Sequence, residues 1–250
     1  MTQYSDYFGP EGLRVRGTVL VVPGRGETRA TYARFGRRLA ADAYRVRVID
    51  APDLDAGDLD GLAARLNDAA EGTAVEDGVV RPLVLVGSDS GAAAIAALLG
   101  RAAGGEPDAV VLAGLPGLAP GTSTAGSWDE ELDVRTSCPA HRGALTQDPE
   151  VRRGSLDEAI PEAVLTAAYD SEATVPALLL VGDADPLADH EALARIAKSL
   201  ASARLSVVHG AHHDVLNDLQ HRSVAAEVVA FLENLRNELR PLITVRSSAW

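Results

Sequence analysis

The stretch LVLVGSDSGAAA, Leu83 to Ala94, places three chemically useful side chains between two glycines. An apolar run stops at Gly87, small residues resume at Gly91, and Ser88, Asp89 and Ser90 lie between them. A strand that turns sharply into a helix through Gly-x-nucleophile-x-Gly holds its central residue in a strained backbone, so that side chain projects from the end of the sheet. The central residue here is Asp89. Read blandly, the same residues are an ordinary strand-to-helix turn with Asp89 or Ser90 as the helix cap. Read as a nucleophile, a carboxylate narrows the chemistry. Attack on an ester carbonyl would form an anhydride and expel an alkoxide, which is steeply uphill. Attack on an sp³ carbon bearing a leaving group forms an ordinary ester, which water can cleave.

Later residues supply company for Asp89. PALLLVGDADP ends in Asp183 and Asp185, and RLSVVHGAHHD ends in His212 and His213. A nucleophile, then an acid, then a histidine, each just past an apolar run, is one chain order of a catalytic triad. All three would open on the edge of a sheet where ligands bind in open α/β folds. Two rival readings use the same segments. His209, His212, His213 and Asp214 could suggest a metal, but HGAHHD follows a strand rather than lying on a helix, so the four-residue spacing of His209 and His213 makes no helical pair, and there is no thiolate; no metal is assigned. VLVVPGRGETRA, with Asp50 closing the next strand, is similar to a dinucleotide fingerprint whose third glycine is Arg29. A dinucleotide-binding oxidoreductase therefore stays as an alternative, one that leaves Asp89, Asp185 and His213 unexplained.

The elements that must position these residues follow from periodicity. GTVLVVPG, YRVRVID, RPLVLVGSD, DAVVLAGL, PALLLVGD and RLSVVHG read as strands. ATYARFGRRLAADA, LDGLAARLNDAAEG, SGAAAIAALLGRAA, ADHEALARIAKSLA and SVAAEVVAFLENLRNEL read as helices. Continuous apolar strands alternating with helices imply one α/β domain over residues 1–250, with a mostly parallel sheet covered on both faces. Leu115 to Val175 interrupts the alternation with helical hints (SWDEELDVR, SLDEAIPEAVLTAAY) and no strand, the length and place of a helical lid. A tail from residue 240 to 250 could dock as an extra strand or stay apart. The acidic run DAPDLDAGDLD reads as a solvated loop rather than a metal site.

Several of these segments resemble one family. PGRGETRATY, Pro23 to Tyr32, is similar to the oxyanion loop H-G-x-G-E-H-S-x-x-Y of the monoacylglycerol lipase and lysophospholipase branch of the α/β-hydrolases. GAHHDVLND looks like that branch's G-x-x-H-E-x-x-N-E histidine segment, and GDADP its G-x-x-D-P acid segment. The resemblance implies the α/β-hydrolase fold, His213 as the catalytic histidine, Asp185 rather than Asp183 as the acid, and the backbone N–H groups of Arg25 and Ser90 as the oxyanion hole. The sequence departs from the branch in having Pro23 where those enzymes have His and Asp89 where they have Ser. Epoxide hydrolases and haloalkane dehalogenases of this fold use an aspartate there. Of the two, the dehalogenases commonly follow it with a halide-binding Trp, and Ser90 stands here instead, so the epoxide hydrolase chemistry is favoured. Epoxide opening needs an acid, and the lid offers Trp128, His141 and Tyr169 as tentative substrate-binding groups. A carboxylesterase, lysophospholipase or thioesterase-like hydrolase and a non-catalytic protein of the same fold are the remaining alternatives.

Composition bounds the partners. A formal net charge of −13 repels nucleic acid and anionic membranes. No apolar run reaches transmembrane length, and MTQYSDYFGPEGLRVRG does not resemble a signal peptide. Cys138 is the only cysteine, which excludes an internal disulfide and suits a reducing cytoplasm. The expected partner is a small to medium hydrophobic organic substrate, with no cofactor.

Overall fold

A computed structural model describes residues 4–54, 59–74, 78–99, 107–118 and 126–248. Seven strands form one sheet in the order β1 (Ser5–Tyr7), β3 (Arg45–Val48), β2 (Thr18–Val22), β4 (Leu83–Ser88), β5 (Ala109–Ala113), β6 (Ala177–Gly182), β7 (Ala203–Val208). Among the described residues, only the β1–β3 pair is antiparallel. Parallel strands buried on both faces need apolar side chains at every position, and β2, β4, β5 and β6 are buried throughout. Alternate residues serve opposite faces. Leu20, Val22, Leu85, Leu112 and Leu179 pack with α2 (Leu59–Glu71), α3 (Ser90–Leu99), α6 (Glu162–Tyr169) and α7 (His190–Ser199). Val19, Val21, Val84, Val86 and Leu180 pack with α1 (Ala33–Ala41) and α8 (His221–Leu235).

Chain order reverses direction between β2 and β4: β2 leads outward to β3 and β1, while β4 leads to β5, β6 and β7. Loops leaving those two strands part from each other, so a crevice opens between them, and it is there that open α/β sheets bind ligands. Arg25 follows β2 and Asp89 follows β4. The β5–β6 insertion carries α4 (Trp128–Arg135), α5 (Pro139–Gln147), a 3-10 turn at Ser155–Asp157 and α6.

Two elements differ from the sequence reading. β1 is three residues long and largely polar; it is held by Arg47, whose Nε and Nη2 reach the Asp6 carboxylate at 2.7 Å each. α5 contains Gly143 and lacks a clear apolar period, yet Pro139 at its first turn starts it without a wasted N–H. The tail forms no strand over residues 240–248, with Ile243 and Val245 exposed. Residues 100–103 of the third expected helix, and residues 55–58 of the acidic run, lie outside the described residues.

The β4–α3 turn depends on two glycines. A Cβ on Gly91 would lie 2.4 Å from the Val22 carbonyl oxygen, and one on Gly87 2.6 Å from the Ala92 nitrogen. Both contacts are with backbone, which cannot rotate away. Gly91→Ala should therefore destabilise the fold by about 3 kcal/mol, the upper end of overpacking costs, as measured by denaturant unfolding. A variant within about 0.5 kcal/mol of wild type would refute this account of the turn.

Candidate active site

Asp89 sits at φ +48°, a left-handed conformation that a non-glycine residue adopts only where its surroundings enforce it. Its N–H donates to the Ala113 carbonyl on the neighbouring strand (3.0 Å), and its own carbonyl opens α3 by accepting from Ala93 (3.1 Å). The side chain, 1% exposed, is thereby aimed at the loops after β6 and β7. Asp185 lies in the first of these, its Oδ1 accepting from the Leu187 N–H at 2.9 Å. His213 lies in the second. Its Nδ1 donates to Asp185 Oδ2 at 2.9 Å, and its Nε2 donates to Asp89 Oδ1 at 3.1 Å. Ionised carboxylates only accept, so a ring between two of them carries a proton on each nitrogen. Burial opposes the charge, but the two carboxylates outweigh it and raise the His213 pKa to about 10.

Arg25 completes a row of alternating charges. Its backbone N–H donates to Asp89 Oδ2 at 2.8 Å, in the place where an oxyanion-hole donor would stand. Its guanidinium also grips the same carboxylate, Nη2 to Oδ1 at 2.8 Å and Nε to Oδ2 at 2.9 Å. Nη1 is held by the carbonyls of Leu156 (2.9 Å) and Glu158 (2.7 Å) from the insertion. Burial pushes the Asp89 carboxyl up, but Arg25 and His213 hold it well below the usual carboxylate range. Ser88 and Ser90 are buried beside Asp89, and neither bonds to His213, both of whose ring nitrogens are taken.

Beside this row lies a cavity of about 370 Å³, walled by Arg25, Gly26, Thr28, Arg29, Asp50, Asp53, Ser90, Arg152, Glu158 and Ile160 among others. Asp89, Asp185 and His213 are not part of that wall. Arg25 stands between the cavity and Asp89. The wall is largely polar. The leucines of the insertion pack elsewhere: Leu132 and Leu145 with Val151 and Trp128 in a small cluster, and Leu165 in the main core.

The three lid residues put forward as substrate-binding groups do not line this cavity either. Trp128 stacks under the Arg153 guanidinium (5.1 Å) and donates to Thr146. Tyr169 donates to the Pro116 carbonyl at 2.9 Å. His141 is buried, with Nε2 2.8 Å from Asp214 Oδ2. The sequence reading put these residues forward because epoxide opening needs an acid and the lid offered them; each finds a nearer partner.

Behind the Arg25 loop lies a second buried polar group, which the sequence reading missed. Glu27 Oε2 accepts from the Gly24 N–H (3.0 Å) and from the Tyr32 hydroxyl, and this shapes the loop that carries Arg25. Burial, with Asp214 nearby, pushes the Glu27 pKa up to about 7. Arg135, wholly buried, donates to Glu131 Oε1, the Arg25 carbonyl and Ser155 Oγ, and its Nη1 lies 3.6 Å from Asp214 Oδ1. Ligand atoms of Glu27, His141 and Asp214 fall within 4.8 Å of one another, a spacing a cation could bridge. The Arg135 guanidinium already supplies positive charge there. Glu27 Oε1, Asp214 Oδ1 and Arg135 Nη1 are buried without a hydrogen-bond partner, the kind of atom an internal water usually satisfies. The only sequence signal for this group was the Glu27–Tyr32 pair of the oxyanion-loop motif.

The insertion is tied to the histidine loop by backbone as well. His213 N–H donates to the Val134 carbonyl and Asp214 N–H to the Arg135 carbonyl. Asp218 accepts from Thr136, Ser137 and His212, and these donors lower its pKa to about 2 against the effect of burial. The histidines that raised the question of a metal each face a carboxylate: His209 with Asp183, His212 with Asp218, His213 with Asp185.

Sheet order, crossovers and the sharp turn between β4 and α3 define an α/β-hydrolase. A family model for serine aminopeptidase S33 hydrolases (Hydrolase_4) matches residues 14–220. The chain belongs to that family and is a hydrolase of the α/β-hydrolase type. Among solved structures it is similar to a monoacylglycerol lipase from Paleococcus ferrophilus, with TM-score 0.73, 18% identity, and 94% of this chain and 99% of that one covered. It is also similar to a soluble variant of the Saccharomyces cerevisiae monoglyceride lipase, with TM-score 0.75, 16% identity and 93% and 91% coverage. A third is an enol-lactonase from Burkholderia xenovorans LB400, with TM-score 0.64, 16% identity and 93% and 96% coverage. At these identities the likeness is one of fold. No curated protein matches the sequence. Among the described residues, no helix is long and apolar enough to cross a membrane.

Proposed function

We propose that this hydrolase works through Asp89 as a carbon nucleophile, by way of an alkyl-ester intermediate, on a small epoxide-like substrate. The observation that carries the reading is the row Asp185–His213–Asp89, at 2.9 and 3.1 Å, with the second Asp89 oxygen on the Arg25 N–H. Oδ2 rests on the Arg25 N–H, and Oδ1, which accepts from His213 Nε2 and Arg25 Nη2 at rest, is the oxygen that attacks once substrate displaces the guanidinium.

The proton inventory favours an epoxide over a halide. Asp89 Oδ1 gives an electron pair to carbon as the C–O bond breaks, and the departing oxygen becomes an alkoxide that takes a proton from solvent. Esterified Asp89 is neutral, so His213 loses one of the two anions that kept it charged and releases its Nε2 proton to solvent. The two transfers cancel. The imidazole, held by Asp185, then takes a proton from water attacking the ester carbonyl. The tetrahedral oxyanion is stabilised by the N–H groups of Arg25 and Ser90. Collapse sends the His213 proton to the product hydroxyl and returns the carboxylic acid's proton to the ring. A halide would leave without needing a proton, and each turnover would have to export one.

A single turnover of 1,2-epoxyhexane in ¹⁸O water tests the reading. The diol should carry only unlabelled oxygen, and the peptide containing Asp89 should gain one ¹⁸O. Label appearing directly in the diol of an active enzyme, with none in the peptide, would overturn it.

A further inference from the structure

We infer that the Arg25 side chain is the electrophile of this site: it covers Asp89 in the resting state and binds the departing oxygen once substrate enters. The inference rests on the Asp89 reading above and adds the group that reading lacks, since none of Trp128, His141 and Tyr169 lines the cavity.

In-line displacement requires the leaving atom to lie on the far side of carbon from the attacking oxygen. A group that assists departure must therefore face Asp89 across the substrate. The Arg25 guanidinium lies against Asp89 and lines the cavity at once. A carbon inserted between the two carries the guanidinium to the far side of that carbon. Its path is short and its direction is set, because Nη1 is tethered to the Leu156 and Glu158 carbonyls while Nε and Nη2 face Asp89. Once Asp89 becomes a neutral ester, the alkoxide formed in the same step replaces the carboxylate as partner of the charge. The buried guanidinium thus keeps an anionic partner through the step in which the C–O bond breaks, where losing one would cost most. The alkoxide then takes its proton from solvent, as in the scheme above, and the arginine keeps its own.

The test separates help to the leaving group from mere obstruction. Two probes with the same chain, 1,2-epoxyhexane and 1-bromohexane, are compared for the rate at which Asp89 is alkylated, read by intact-protein mass in a His213→Ala background that prevents deacylation. Epoxide opening needs charge on the departing oxygen, and bromide departs with little help. Adding Arg25→Gln slows both probes alike to the extent that Asp89 becomes protonated, and beyond that shared loss it should slow alkylation by the epoxide about 10²- to 10³-fold further than alkylation by the bromide, the usual loss for one such donor. Arg25→Lys, which keeps the charge and loses the fork, should recover part of the epoxide rate. Equal losses for both probes, or faster alkylation by both, would overturn the electrophile and leave Asp89 as nucleophile intact. No adduct at Asp89 from either probe, with Arg25 present, would overturn the parent reading instead. Circular dichroism melts of each variant establish that loss of rate is not loss of fold.

Discussion

Asp89→Asn should abolish turnover, by on the order of 10⁴- to 10⁶-fold, the range seen when a central member of a catalytic triad is removed. The amide keeps the size of the carboxylate and can still accept from the Arg25 N–H, so the turn, the oxyanion donor and the cavity survive. What it lacks is the anion. The same change has a structural signature that a passive residue would not give. In the wild type Asp89 neutralises two cations, the Arg25 guanidinium and the His213 ring. In the variant His213 can shed its proton, but Arg25 cannot, and it stays 9% exposed with only carbonyl partners. Breaking a buried pair costs about 3–5 kcal/mol, and the lower end, about 3 kcal/mol, is expected because the ring relaxes. Proton NMR should follow that relaxation. The wild-type ring, held at about 10, stays charged through neutral pH, and in the variant its titration should move toward the ordinary histidine range. A fluorophosphonate should label neither form at Ser88 or Ser90. An Asp89→Asn protein with near wild-type turnover, or one labelled at either serine, would return the site to ester chemistry.

Strands β2, β4, β5 and β6 were legible because a parallel sheet covered on both faces writes itself as nearly unbroken apolar residues, while β3 (RVRV) and β7 (ARLSVV), nearer the edges, showed only as shorter Val-rich runs. β1 wrote nothing of the kind. Ser5, Asp6 and Tyr7 form a strand because Arg47 claims Asp6 and the Tyr7 ring lies against Gly36, both contacts distant in sequence. α5 was hidden for a similar reason: His141 is buried by Asp214, 73 residues away, and no period in PAHRGALTQ marks that face. At the site, Asp89, Asp185 and His213 could be picked out because each follows the end of an apolar run. The side chain of Arg25 could not, since the oxyanion loop was read for its N–H group alone. Arg135 carried a misleading signal. Glu131 and Arg135, spaced i, i+4 in SWDEELDVR, look like a solvated surface pair, yet both are buried because the insertion folds back over the Arg25 loop. The carboxylate that makes Asp89 useful also needs partners, and those partners, Arg25 and His213, lie on two other loops.

The strongest separation of the two chemical steps comes from His213→Ala. If the ring is needed only after Asp89 has been alkylated, its removal should leave the first step running and stop the second. Multiple turnover with 1,2-epoxyhexane should fall by on the order of 10⁴-fold or more, while intact-protein mass should rise by one substrate equivalent and stay there. Digestion should place the added mass within Leu83–Ala94. The first step will not be untouched, because the wild-type ring carries positive charge between Asp89 and Asp185. Without it the two carboxylates face each other, and only Arg25 keeps Asp89 ionised. The Asp89 carboxyl should therefore titrate higher in the variant, and the alkylation rate should rise with pH through that new value. Asp89 is the attacking form only when ionised, so the sign is fixed: acid protects the protein from the adduct and base promotes it. His213→Gln, which refills the space and can donate to Asp185, should still trap the ester, because an amide cannot take a proton from water. A His213→Ala protein that turns over epoxide steadily without carrying an adduct would mean that the reaction passes through no ester at Asp89 and needs no proton transfer by His213, and both roles would be overturned together.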